Sequence, residues 1–286
     1  MGKVFSEQQV EQAALGWFEA LGYDIRKGAD ISPGSDTPLR ESHEHVVLEP
    51  RLCAALRRIN RHLPEDAIEQ AVRVIARPPE PTLAQSNRWF HRLLADGIDV
   101  EYRTSDGEAR GDKAWLADFT KPSSNDLLVV SQFTVKGGNS TRRADLVVFL
   151  NGLPIAVIEL KDPADEQADL WKAYRQLQDY KEHIPALFTY NELMVISDGD
   201  ITRLGSLTAG SDRFVPWRSI EDAARPGEPT LEALATGLFE PQRLLDYLRH
   251  CVIFEEDDRT GEIVKKIAGY HQFRAMQKAR ASVKAA

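Results

Sequence analysis

Long apolar runs are missing from this 286-residue chain. The longest, around Leu146 to Leu160, is broken by Asn151 and Gly152 and falls short of the roughly 20 residues a bilayer-crossing helix needs. No membrane partner is therefore expected. Cysteine is scarce as well. Cys53 and Cys251 lie far apart without CxxC spacing, which argues against a disulfide framework and for a cytoplasmic location. The start, Met1-Gly2-Lys3, has no signal-peptide core, and Gly2 with Ser6 as its only support makes no lipid anchor. Basic charge is also short: 36 Lys and Arg against 44 Asp and Glu leave a net charge of −8. A chain that grips nucleic acid unaided needs clustered cations to neutralise phosphates, so any such partner must be held largely by other domains or subunits. There is no GxxxxGK[ST] phosphate loop, no internal repeat and no low-complexity tract. His43 and His45 flank Glu44 without a third ligand at suitable spacing, so zinc is not expected.

What is present, 42% apolar and 28% charged residues, can bury a sizeable core. Val10, Ala13, Ala14, Trp17, Phe18 and Leu21 share one side of a helix over Glu7 to Leu21 that Gly22 ends. Tyr23 to Arg26 reads as a short strand. Prolines punctuate three further helices, Pro50 to Arg61, Pro64 to Ile75 and Thr82 to Leu94. Then the period changes, and Val100 to Arg103, Ala114 to Thr120 and Asp126 to Val135 read as strands. Gly137 and Gly138 read as a flexible loop. Asp145 to Leu150 and Ile155 to Leu160 flank Asn151-Gly152, a strong hairpin signal. A helix from about Ala164 to Glu182 follows, then strands Leu193 to Ser197 and Ile201 to Leu207. Ala223 to Thr230 reads as a domain edge, which gives one domain over 1–225 and a mostly helical segment over 226–286 with a basic tail of Lys278, Arg280 and Lys284. The fold class is α/β, with a central mixed sheet flanked by helices.

The chemistry-bearing pattern is Asp145, then thirteen residues, then Glu159-Leu160-Lys161. Residues two apart on a strand point the same way, so Glu159 and Lys161 stand side by side. Two carboxylates suit Mg²⁺, a hard ion that keeps waters and a substrate phosphate in its shell. A lysine beside them can orient the attacking water and balance charge in the transition state. The same triplet also reads as a plain Glu-Lys pair at a strand end, since ExK is common. Geometry supplies a condition. A two-residue Asn151-Gly152 loop in a regular pleat sets Asp145 opposite Ile158, on the other side of the sheet from Glu159. Binding of one metal by both carboxylates therefore predicts an odd-length or bulged hairpin, or strong local twist. Gln176 and Tyr180, four apart on the next helix, share a face that can reach a phosphate or brace the site. Glu11 on the first helix is a third carboxylate candidate.

Taken together these residues resemble the PD-(D/E)xK nuclease superfamily, and more closely the N-terminal part of the motor (R) subunit of type I restriction enzymes. The resemblance rests on EQAALGWFEALGY at 11–23, NRWFHRLLADG at 87–97, ADLVVFLNGLPIAVIELKDP at 144–163, Gln176 and Tyr180 in a QxxxY motif, PALFTY at 185–190, VISDG at 195–199 and IAGYHQ at 267–272. It implies a restriction-endonuclease-like fold and Mg²⁺-dependent cleavage of double-stranded DNA, with Asp145 and Glu159 as metal ligands and Lys161 as the catalytic lysine. Glu11 matches the helical glutamate of some superfamily members, and Ala144 stands where the name-giving proline often sits. The resemblance further implies methyltransferase and specificity subunits as partners, and an ATP-driven motor beyond these residues, for which Gln272 would be half of an adenine-recognition feature. A non-catalytic docking module coupling such a motor to its partners is the alternative.

Overall fold

The computed structural model describes residues 6–79, 81–162, 170–218 and 228–285. The Met1-Gly2-Lys3 start, the first turns of the helix expected from Ala164, most of the expected domain edge at 223–230 and the Lys284 side chain lie outside the described residues. Seven strands hydrogen-bond in one mixed sheet: β1 (Asp24–Lys27), β4 (Leu127–Gly137), β5 (Ser140–Leu150), β6 (Leu153–Leu160), β7 (Leu193–Ser197), β8 (Thr202–Gly205) and β9 (Val215–Pro216), in that spatial order. The pair β2 (Ile98–Arg103) and β3 (Ala109–Ala114) forms a separate antiparallel hairpin, as does β10 (Val252–Glu256) with β11 (Ile263–Ile267). Strand β1 runs parallel to β4, whereas β4–β5, β7–β8 and β8–β9 are antiparallel. Among the described residues no helix is long and apolar enough to cross a membrane.

By its contacts the chain divides into two compact units, one of residues 1–22, 158–178 and 192–286, the other of 23–157 and 179–191. In the first, α1 (Glu7–Ala20) starts with a capping box between Ser6 and Gln9, and Gly22 follows its end at a φ of 89° that a side chain would resist. Its buried face, Val10, Ala14 and Phe18, packs on α7 (Leu231–Leu238), and Phe18 meets Phe239 edge-on at 5.3 Å. The expectation that 226–286 is mostly helical missed the β10–β11 hairpin between α8 (Pro241–His250) and α9 (Tyr270–Ala285). Trp217, 1% exposed, packs against Tyr247, Tyr270 and Phe273, with centroids 5.7–5.9 Å away. The wholly buried Lys265 ammonium bonds Glu192 at 2.8 Å, and burial pulls its pKa down while that carboxylate pulls it back up.

In the second unit, α2 (Glu49–Ile59), α3 (Glu65–Ile75) and α4 (Leu83–Asp96) fall where proline spacing set them. The strand expected at Ala114 to Thr120 is a misreading. Gly107, at φ 83°, closes a tight turn, so β3 begins at Ala109, and its polar sequence shows no alternation. The apolar stretch after it is irregular backbone satisfied by side-chain amides. Asn60 accepts from Trp115 N–H at 2.7 Å and donates to Trp115 O at 2.9 Å, and Asn151 donates to Leu116 O at 2.8 Å. Gly137 and Gly138 are not a loose loop either. Gly137 pairs with Ser140 across the β4–β5 turn, and a Cβ on Gly137 would lie 2.2 Å from His183 O.

Strands β5 from Ala144 onward and β6 throughout are buried, which explains their near-continuous apolar sequence. Two residues join them, Asn151 at φ 53° and Gly152 at φ 80°, the primed geometry that matches strand twist. The odd-length loop is therefore not found. Asn151 does more than turn the chain. Besides bonding Leu116, its amide donates to Asn125 Oδ1 at 2.9 Å and accepts from Asp126 N–H at 2.7 Å. Asn151→Ala should lower unfolding free energy by roughly 2–4 kcal/mol through stranded polar groups and a left-handed Cβ. Asn151→Gly, which suits the backbone but not the bonds, should fall about 1 kcal/mol nearer wild type in urea denaturation.

Candidate active site

Glu159 is the penultimate residue of β6 and has 0% exposure, in a strand whose other residues are apolar. An ionised carboxylate in such a place needs a cation or metal. Lys161, just past the strand, supplies one: its Nζ lies 3.0 Å from Glu159 Oε1 and donates to Leu160 O at 2.8 Å. The backbone fixes the lysine too, since Lys161 N–H donates to Ser197 O at the end of β7 at 2.9 Å. Ser197 is held in turn, with its Oγ 2.6 Å from Thr202 Oγ1. The side-by-side placement expected for this pair is what the structure has. Lys161 keeps 16% side-chain exposure, so its ammonium is partly reachable while the carboxylate is not.

Asp145 belongs to the other compact unit, on β5 just where that strand passes from exposed to buried, and is itself 8% exposed. Two residues earlier, Arg143 O accepts the Tyr180 hydroxyl at 2.8 Å. Tyr180, 2% exposed on α5 (Leu170–His183), thus ties that helix to β5 two residues before Asp145. A second tie lies alongside: Arg142 bonds Asp179 at 2.5 and 3.2 Å. That hydrogen bond holds the Asp179 carboxyl below its usual range, so the tie is present at neutral pH and is lost as pH falls through that lowered value. Gln176 lies half-buried on the same helix.

Other candidates take other places. Glu11 is half-buried on α1. Among the described residues, no group of three or more His, Cys, Asp and Glu is placed to hold a metal ion, so a three-carboxylate cage is not preformed. Gln272, in the first turn of α9, turns its Oε1 back onto Gly269 N–H at 2.8 Å, a helix-capping bond. His43 and His45 serve Arg40, through His43 Nδ1 at 3.3 Å and His45 O at 3.3 Å.

One residue of interest carried no signal in the sequence. Gln132, in the middle of β4, has φ 55°. Register places it directly opposite Asp145, between the couples Ser131–Leu146 and Phe133–Ala144. An unusual backbone conformation thus stands on the neighbouring strand next to Asp145. Glutamine gives no hint of a left-handed backbone, so nothing in the residue type marks it. For the brace, Tyr180→Phe should lower unfolding free energy by about 1 kcal/mol, the worth of one buried hydrogen bond, in thermal or urea unfolding. A Tyr180→Phe chain as stable as wild type would contradict a bracing role.

Residues 4–213 match the family described as Type I restriction enzyme R protein N terminus. The chain is 36% identical over 281 residues to the type I restriction enzyme HindI endonuclease subunit of Haemophilus influenzae, covering 96% of this chain and 26% of that protein. It is 30% identical over 298 residues to a Methanocaldococcus jannaschii protein provisionally named as the endonuclease subunit of type I restriction enzyme MjaIXP, covering 97% and 28%. The chain therefore spans about a quarter of the length of these relatives. With three quarters of its residues inside the matched region, this chain belongs to the family of type I restriction enzyme R protein N-termini.

Proposed function

We propose that this chain is the DNA-cleaving region of a type I restriction enzyme R subunit, a Mg²⁺-dependent endonuclease that hydrolyses phosphodiester bonds in double-stranded DNA. The observation that carries the reading is the wholly buried Glu159 carboxylate with the Lys161 ammonium 3.0 Å away, in a strand otherwise apolar and in a chain of this family. A merely structural pair gains little in such a place, because desolvation offsets much of the attraction.

Asp145 and Glu159 are the metal ligands in this reading. The donor set fits the ion: Mg²⁺ is usually held by one or two carboxylates together with waters and substrate phosphate, so Glu11 need not take part. When bound, Mg²⁺ supplies charge that polarises the scissile phosphate and eases deprotonation of a water. Lys161, fixed by Leu160 O and by its own N–H, orients the attacking water and offsets negative charge growing on the phosphate. Tyr180 contributes through β5, by keeping the strand that carries Asp145 in place. With a net charge of −8, most of the DNA grip falls to the ATP-driven motor and to the methyltransferase and specificity subunits. Residues 226–286 lead toward that motor, where ATP and Gln272 would be used.

The test is DNA cleavage by the full-length R subunit assembled with its partners, with ATP hydrolysis followed in the same reactions. Asp145→Ala and Lys161→Ala should each lower cleavage by about 100-fold or more and leave ATP hydrolysis intact. Full cleavage by both variants would remove these residues from the chemistry and favour a docking module.

A further inference from the structure

The left-handed backbone at Gln132 lies in a closely built place. In a regular antiparallel ladder the side chains of Gln132 and Asp145 would share one face as direct cross-strand neighbours. The register is the same on either side, Ser131 with Leu146 and Phe133 with Ala144, yet Gln132 between them has φ 55°. A residue with a Cβ rarely takes that conformation in a strand, and it persists only where its surroundings over-determine it.

Those surroundings are visible on both sides. Before the turn, Gly28 N–H donates to Ser131 O at 2.7 Å, one residue past the β1–β4 ladder. Gly28 also lies so close that a Cβ there would stand 2.2 Å from Gln132 O. After the turn, Arg40, 5% exposed, donates from Nη2 to Thr134 O at 2.6 Å and stacks over the Phe133 ring at 4.0 Å. Burial pushes that guanidinium down to about 10, still a cation at neutral pH. The chain thus places an uncommon backbone turn between two clamps, opposite one aspartate.

We propose that the left-handed turn at Gln132, clamped by Gly28, is a positioning device that sets the Asp145 carboxylate for metal binding. The inference rests on the nuclease reading given above. It is the backbone conformation, and not the amide side chain, that does the positioning.

The experiment measures Mn²⁺ binding to this chain by the electron paramagnetic resonance signal of the free ion, with melting temperature recorded for each variant. Gln132→Gly, which takes φ 55° freely, should bind as wild type. Gln132→Val, which resists a left-handed backbone, and Gly28→Ala, which crowds Gln132 O, should weaken Mn²⁺ binding by about tenfold or more. The Gln132→Val loss should appear in chain that still melts cooperatively. Wild-type affinity in folded Gln132→Val would overturn the inference, as would an equal loss in Gln132→Gly, which would shift the role to the side chain. Asp145→Asn separates the two levels. If it binds Mn²⁺ like wild type, or if wild type binds none, the nuclease reading fails; if it loses binding while Gln132→Val does not, only the positioning inference fails.

Discussion

A carboxylate removed from water must be met by positive charge, and Glu159 is removed completely. Much else in its compact unit is arranged around that requirement. The answer, Lys161, follows two residues later and is held from two directions, by the Leu160 carbonyl and through its own N–H to Ser197. Ser197 can serve because β7 ends there and Asp198 turns the chain by accepting the N–H groups of Asp200 and Ile201 at 3.1 and 2.7 Å. Gly199 gives that turn its φ of 94°. The pair is therefore held by several bonds at the end of a buried strand, as the proposed placing of a water by Lys161 requires.

In the other unit the equivalent constraint is to keep one acidic residue at the edge of a buried strand. Strand β5 is tied to α5 on one side, by Tyr180 to Arg143 O and by Arg142 to Asp179, and lies against an irregular stretch of β4 on the other. Asn151 at its far end links three chain segments through one amide. These bonds are not sequence-local. Arg142 to Asp179 spans 37 positions, and Asn151 to Leu116 spans 35. The strand is positioned by the fold more than by its own propensity.

This explains what could be read in the sequence and what could not. Helices α1 to α4 were legible because caps, prolines and apolar spacing are local signals. The Asn151-Gly152 hairpin, the Glu159–Lys161 juxtaposition and the family were legible too, since two-residue periodicity and a long specific block carry them. The strand read at Ala114 to Thr120 failed because burial without regular pairing imitates a strand when Asn60 and Asn151 satisfy its backbone. Strands β10 and β11 were hidden among polar residues, and their buried Lys265 reads as surface until Glu192, 73 positions away, is seen beside it. Gln132 could not be found at all, because nothing in the residue type marks its left-handed backbone.

Asp145 and Glu159 are proposed above as ligands of one metal ion. Crystals of this chain soaked in Mn²⁺ and measured at the manganese absorption edge test this directly through the anomalous signal. A single strong peak is expected, bonded to carboxylate oxygens of both Asp145 and Glu159 at distances of about 2.1 Å, as a small hard cation requires. A peak on other residues, with neither Asp145 nor Glu159 bonded to the ion, would contradict that proposal.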